Sequence, residues 1–222
     1  MRRKENWDYG APLQGPIKEG AMYELFLKGG LLMYPIAFCS IVALGIFLER
    51  LWALRKGKVV PRGFLIEVID LVAKGKLTEA MTLCKRTDAS VAHVLYAGLS
   101  HYGKRREAIK ERMEEVGRRE VANLERYINV VGTIAGVAPL LGLLGTVSGM
   151  IKSFNVIALQ GVAEPGALAG GISEALLTTA AGLIVAIPSF VMHRYLRNRV
   201  HSLALEMEEV ALRILDLLGK EE

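Results

Sequence analysis

Four polar side chains set into apolar sequence could do chemistry: Thr146, Thr178, Thr179 and Glu174. A threonine hydroxyl does not titrate near neutral pH, so it cannot carry a proton alone, but it orients water or hydrogen-bonds a carboxylate. A carboxylate opening an apolar run is costly near lipid and marks an ion or proton pathway, or a paired charge. It also suits headgroup water or the start of a helix. Glu174 and Thr178 lie four residues apart, so one helical face carries both and continues to Ala181.

Around these threonines the sequence gives up bulk. At roughly 100° per residue, Gly132, Ala135, Pro139, Gly142, Gly149 and Ser153 fall within about 60° of Thr146. Leu140, Leu143, Leu144 and Ile151 point elsewhere. Ala175, Gly182 and Ala186 cluster in the same way about Thr179. Small residues let helix backbones approach one another in lipid, which makes both stripes packing seams. The same faces could wall a pore, leaving room for water or another chain's helix, with Thr146, Thr178, Thr179 and Glu174 along the path. Gly142, Gly149, Pro139, Ala175 and Gly182 would then be its small wall residues. Spacing alone favours the seam; Glu174 tilts the balance toward a pathway.

The elements that must position these residues are visible as three runs without charge. They are Gly29–Leu48, twenty residues long, Tyr127–Ile151, twenty-five, and Ala175–His193, nineteen. A membrane-spanning helix needs about 20 apolar residues, and a chain of 222 residues is too short to bury three such segments as a soluble core. Composition agrees: 52% of residues are hydrophobic while 23% are charged, and mean hydropathy is +0.31. The N-terminus (MRRKENWDYG) is polar, and no small-residue cleavage site follows the first apolar run, so the first span is expected to stay in the protein. The two cysteines, Cys39 and Cys84, offer neither a disulfide framework nor metal-ligand spacing.

Positive charge sets the orientation. Arg50, Arg55, Lys56, Lys58 and Arg62 follow span one; Arg118, Arg119 and Arg126 precede span two; Arg194, Arg197 and Arg199 follow span three. The stretch between spans two and three has one lysine, Lys152, at its edge and one glutamate, Glu164. The expected layout is therefore an external segment 1–28, a first transmembrane helix 29–52 and a cytoplasmic helical domain 53–126. A second transmembrane helix 127–152, a short periplasmic connection 153–172, a third transmembrane helix 173–193 and a cytoplasmic C-terminal helix 194–222 complete it. A pI near 9.2 then reflects cytoplasmic lysine and arginine rather than nucleic-acid binding.

Within the cytoplasmic stretch, Phe64, Ile66, Val68, Ile69, Leu71 and Val72 form an apolar face ended by Lys74-Gly75-Lys76. Leu77–Cys84 and Ala89–Tyr102 predict two more helices, the latter stopped at Gly103. From Lys104 onward no breaker precedes span two, which predicts one long helix from about residue 104 to the end of that span. The tail from span three onward predicts a continuous amphipathic helix.

No nucleophile–base pair occurs, and "GLLGTVSG" lacks the preceding strand and following Gly-Lys-Ser/Thr of a phosphate loop, so the sequence argues against an enzyme and implies no cofactor. Beside the spans the only acids are Glu49, next to Arg50, and Glu174. If protons move, the cycling carboxylate is Glu174 or belongs to another chain.

The segments "APLLGLLGTVSGMIKSF" (138–154), "GGISEALLTTAAGLIVAIP" (170–188) and "GGLLMYPIAFCSIVALGIFLERLWALR" (29–55) resemble the MotA/TolQ/ExbB proton-channel family, closest to its ExbB and TolQ branch and leaning to ExbB. MotA stators have four spans, against three here. The resemblance implies an all-α membrane protein of the bacterial inner membrane, a pentamer of subunits whose long helices extend into the cytoplasm. It implies that spans two and three line a central pore holding a dimer of a single-span ExbD- or TolR-like partner, and that a TonB- or TolA-like transducer passes on the work. The family's pore threonines fall on Thr146 and Thr179 and its span-three glutamate on Glu174; Thr178 stands where many relatives have Ala. A TolQ-type subunit of an envelope system and a passive membrane scaffold are the alternatives.

Overall fold

The computed structural model describes residues 29–160 and 165–219. The expected external segment 1–28 lies outside the described residues, as do 161–164 and 220–222. Every regular element among the described residues is helical: α1 Met33–Ala53, α2 Lys56–Val59, α3 Arg62–Ala73, α4 Leu77–Arg86, α5 Ser90–Leu99, α6 Arg106–Glu125, α7 Ile128–Gln160 and α8 Pro165–Leu218.

Three helices are long and apolar enough to cross a bilayer: α1, most of α7 and the first part of α8. The 21 residues of α1 span about 31 Å, which matches a hydrocarbon core of about 30 Å. Only 11% of its apolar window is buried inside the chain, against 28% for α7 and α8, so most of α1 faces outward. Large residues such as Phe38, Ile41 and Leu48 stand exposed there, as expected of a surface solvated by lipid. The protein is an all-α, multi-pass membrane protein.

The ends of the three spans meet at matched heights. At one end the Thr178 hydroxyl reaches the Gly29 carbonyl; at the other, Arg199 Nε donates to the Leu54 carbonyl at 3.3 Å. α1 packs on both α7 and α8, which pair along their length. Beyond the spans, α3, α5 and α6 pack on the distal half of α8, and α4 packs on α3 and α5. Leu196, Val200, Leu203, Met207, Ile214, Leu215 and Leu218 recur at helical spacing and are buried against Val68, Val91, Leu95, Leu99 and Met113. Phe64, Val68 and Val72 form the buried face of α3, while Ile66 turns outward. Gly75 and Gly103, at φ +71° and +81°, end their stretches at the positions the sequence marks.

One expectation is corrected. The long helix from about residue 104 is broken: α6 stops at Glu125, Arg126 is extended, and Tyr127 takes a left-handed conformation at φ +65°. Such a conformation costs a bulky residue about 1–2 kcal/mol. The Tyr127 ring lies between the Arg126 and Arg50 guanidinium groups, 4.7 and 5.5 Å from its centroid; each such contact returns about 0.5–1 kcal/mol. The connection is also largely helical. α7 continues to Gln160 and α8 starts at Pro165, whose fixed φ suits the first turn of a helix. The tail, in contrast, continues from span three as one helix of 54 residues, about 80 Å long.

Candidate functional site

The site grows from the contact between α7 and α8, which is a backbone-to-backbone fit. A Cβ added at Gly182 would lie 2.6 Å from the Ala138 carbonyl oxygen, and one at Gly142 would lie 3.0 Å from the Thr179 Cα. At Gly149 it would meet the Gly171 carbonyl at 2.6 Å and the Ala175 Cβ at 2.9 Å. Gly142, Gly149, Ala175 and Gly182 are therefore placed in a seam between two helices of one chain. Ala138 and Ala175 are buried in the same seam, and Pro139 is half-buried within α7.

The three threonines fall into distinct settings on this seam. Thr179, half-buried, donates its hydroxyl across the helix pair to the Gly142 carbonyl at 3.0 Å. Thr146, one turn outward along α7, is also half-buried but bonds within its own helix, to the Leu143 carbonyl at 2.7 Å. Thr178 is only 1% exposed and lies between the Glu174 carbonyl, at 2.7 Å, and the Gly29 carbonyl, at 2.9 Å. Its methyl and Cβ face Gly145, where an added Cβ would lie 2.5 Å from the methyl. The Thr178 hydroxyl thus joins α8 to the turn leading into α1.

Glu174 sits one turn further out on α8, its side chain 20% exposed. Its Oε1 accepts a hydrogen bond from Lys152 Nζ of α7 at 2.5 Å. The α-carbon of Gly30 faces the same carboxylate so closely that a Cβ there would overlap Oε1, and Gly30 has φ +71°. Glycine is required on both counts. The sequence marks Lys152 only as an edge charge and Gly29 and Gly30 only as the start of the first apolar run, with no place at the site. A signal existed for the lysine: Lys152 closes one uncharged run and Glu174 precedes another, so in an antiparallel pair both stand at the same end.

Nothing within the spans can gather a metal: among the described residues no group of three His, Cys, Asp or Glu side chains converges. The arrangement offers instead two hydroxyls at neighbouring levels of a narrow seam, with a paired carboxylate at the end of the seam nearer the α7–α8 connection. A sequence model of the MotA/TolQ/ExbB proton channel family matches residues 86–209, more than half of the chain. This chain belongs to the MotA/TolQ/ExbB family. An ExbB-like biopolymer transport protein of Synechocystis sp. is 35% identical over 175 residues, covering 77% of this chain and 68% of that protein. Biopolymer transport protein ExbB of Pseudomonas putida is 30% identical over 201 residues, 86% of this chain and 60% of its own length. Biopolymer transport protein exbB1 of Vibrio cholerae is 30% identical over 177 residues, 76% of each chain. The family match runs from the end of α4 through most of α8, so it takes in both helices of the seam and every candidate residue on them.

Proposed function

We propose that this chain is the inner-membrane channel and motor subunit of an ExbB-type system, which uses the proton-motive force to energise a TonB-like protein for import across the outer membrane. In this reading five copies surround a pore lined by α7 and α8, and a dimer of a single-span ExbD- or TolR-like partner occupies it. The lysine and arginine distribution supports a periplasmic N-terminus, a periplasmic α7–α8 connection, and cytoplasmic placement of residues 53–126 and 194–222.

The observation that carries the proposal is the division of labour on the seam. The three uncharged runs hold no Asp, Glu, Lys or Arg, yet hydroxyls of Thr146 and Thr179 stand in them at adjacent levels. Hydroxyls alone cannot carry charge, so an acid from the partner must deliver the proton past them, with Glu174 at the outer mouth. Thr178 holds the helices in register. One charge crossing 100 mV releases about 2.3 kcal/mol, so work on a transducer requires repeated steps. The ExbB names of the relatives support an importer-linked role over a Tol-type one.

A passive scaffold is the second reading, favoured by one specific observation: the Thr179 hydroxyl is engaged inside the chain, on the Gly142 carbonyl. Gradient-driven proton uptake into vesicles holding this chain with its co-expressed partner separates the two. Thr146→Ala, Thr179→Val and Glu174→Ala are each expected to abolish uptake with assembly intact. Unchanged uptake in all three would establish the scaffold.

A further inference from the structure

The cluster at the outer end of the spans has a feature that the channel reading does not use. Three elements converge there: the Gly29–Gly30 turn before α1, Lys152 in the last third of α7, and Glu174 with Thr178 on α8. Lys152 is the one cation facing the Glu174 carboxylate among the described residues, and Glu174 is the less exposed partner, at 20% against 55%. A carboxylate so far withdrawn from water, beside a lipid-facing surface, is expensive without a counter-charge. The Gly30 backbone lies against the same carboxylate oxygen, and its left-handed turn leaves no side chain in the way.

We propose that Lys152 is the counter-ion that positions Glu174, and that the pair acts as a charge latch holding the turn before α1 against the outer mouth of α7 and α8. The inference rests on the proposed function only in placing that mouth on the proton route. Its geometry follows from the chain alone. α7 and α8 are in a single register, fixed by Gly142 against Thr179 and by Gly149 against Gly171, which puts Lys152 about one turn beyond Glu174 so that its long side chain reaches back to the carboxylate. Sliding α8 by a turn, about 5.4 Å, away from the Lys152 end would part the two charges and draw the carboxylate off Gly30. The Thr178 hydroxyl secures the same turn from below by its bond to the Gly29 carbonyl. The latch is thus open or shut as a unit, and Lys152 is a positioning residue for the carboxylate rather than a carrier of protons.

Amide hydrogen exchange of the full chain in lipid nanodiscs, with no gradient applied, tests the latch. Lys152→Met keeps length and packing but removes charge; Glu174→Gln removes the other charge. Each is expected to speed exchange over residues 29–36 about tenfold, equivalent to about 1.4 kcal/mol. Lys152→Arg, and the double exchange Lys152→Glu with Glu174→Lys, are expected to stay close to the wild-type rate. Exchange over Val91–Leu99, remote from the latch, serves as the folding control and should not change. Wild-type exchange in Lys152→Met, or a double variant as fast as the singles, overturns the proposal. Proton uptake by the wild-type complex is measured separately: its absence would sink the channel reading while leaving the exchange pattern to stand.

Discussion

Where α7 meets α8 in the half of the apolar slab nearer their connection, the buried positions include Gly142, Gly145, Gly149, Ala175, Thr178 and Gly182. Where the distal half of α8 meets the bundle, they are Leu196, Leu203, Met207, Ile214 and Leu215. One helix changes its packing grammar along its length because its solvent changes. In water, burying a leucine removes apolar surface from an unfavourable solvent. In lipid that gain is absent, so association relies on close backbone approach and on interhelical hydrogen bonds such as Thr179 to Gly142. The lesson is that small residues in the slab are the equivalent of large ones in the bundle.

Substitutions of opposite kind should therefore damage the two regions. Leu95, fully buried in the bundle, is expected to give the largest effect: Leu95→Ala should cost about 2–5 kcal/mol through a cavity, read as a lowered denaturation midpoint. Gly182→Ala, which adds one carbon, should cost about 1–3 kcal/mol because backbone must move to admit it. Gly45→Ala in α1, where nothing lies within 4 Å of the added carbon, is its control and should be silent. Equal behaviour of Gly182→Ala and Gly45→Ala would erase the distinction between the regions.

The smallest effect is confined to the bundle and appears only in base. Burial pushes the Cys84 thiol up to about 12, from an ordinary value of 9.0. The fold favours the neutral thiol, so its contribution is complete below about pH 9 and is lost as pH rises toward 12. The stability gap between wild type and Cys84→Ala should therefore be constant around neutrality and narrow above about pH 9. A gap independent of pH would show that the thiol is not shielded. At the acid end, hydrogen bonding to Arg112 and its charge hold the exposed Glu115 carboxyl below its usual value. That contribution is present above the unfolded value and fades as pH falls, and exposure keeps it minor.

Much of this was legible because charge marks boundaries in a membrane chain. The uncharged runs located all three spans, and Gly75 and Gly103 located two turns in the bundle. The break at Tyr127 was not legible, since its left-handed residue is neither glycine nor asparagine and is held by Arg50, far away in sequence. The helical connection was hidden because alanine, glycine and leucine there carry no outward signal of order. At the site, spacing placed the small residues on the faces of the threonines, but it could not say which helix they would face. The pairing of Glu174 with Lys152 depends on the relative height of two helices, which no local pattern encodes.

The unbroken run of α8 past Pro188 has a mechanical corollary. From Glu174 to Leu218 it forms a lever of about 65 Å, so a tilt of a few degrees at its outer end sweeps the inner end through several ångströms. α7 and α6, divided at Tyr127, form a jointed linkage beside that rod. A displacement at the Glu174 end would thus reach the bundle by two routes of unequal stiffness.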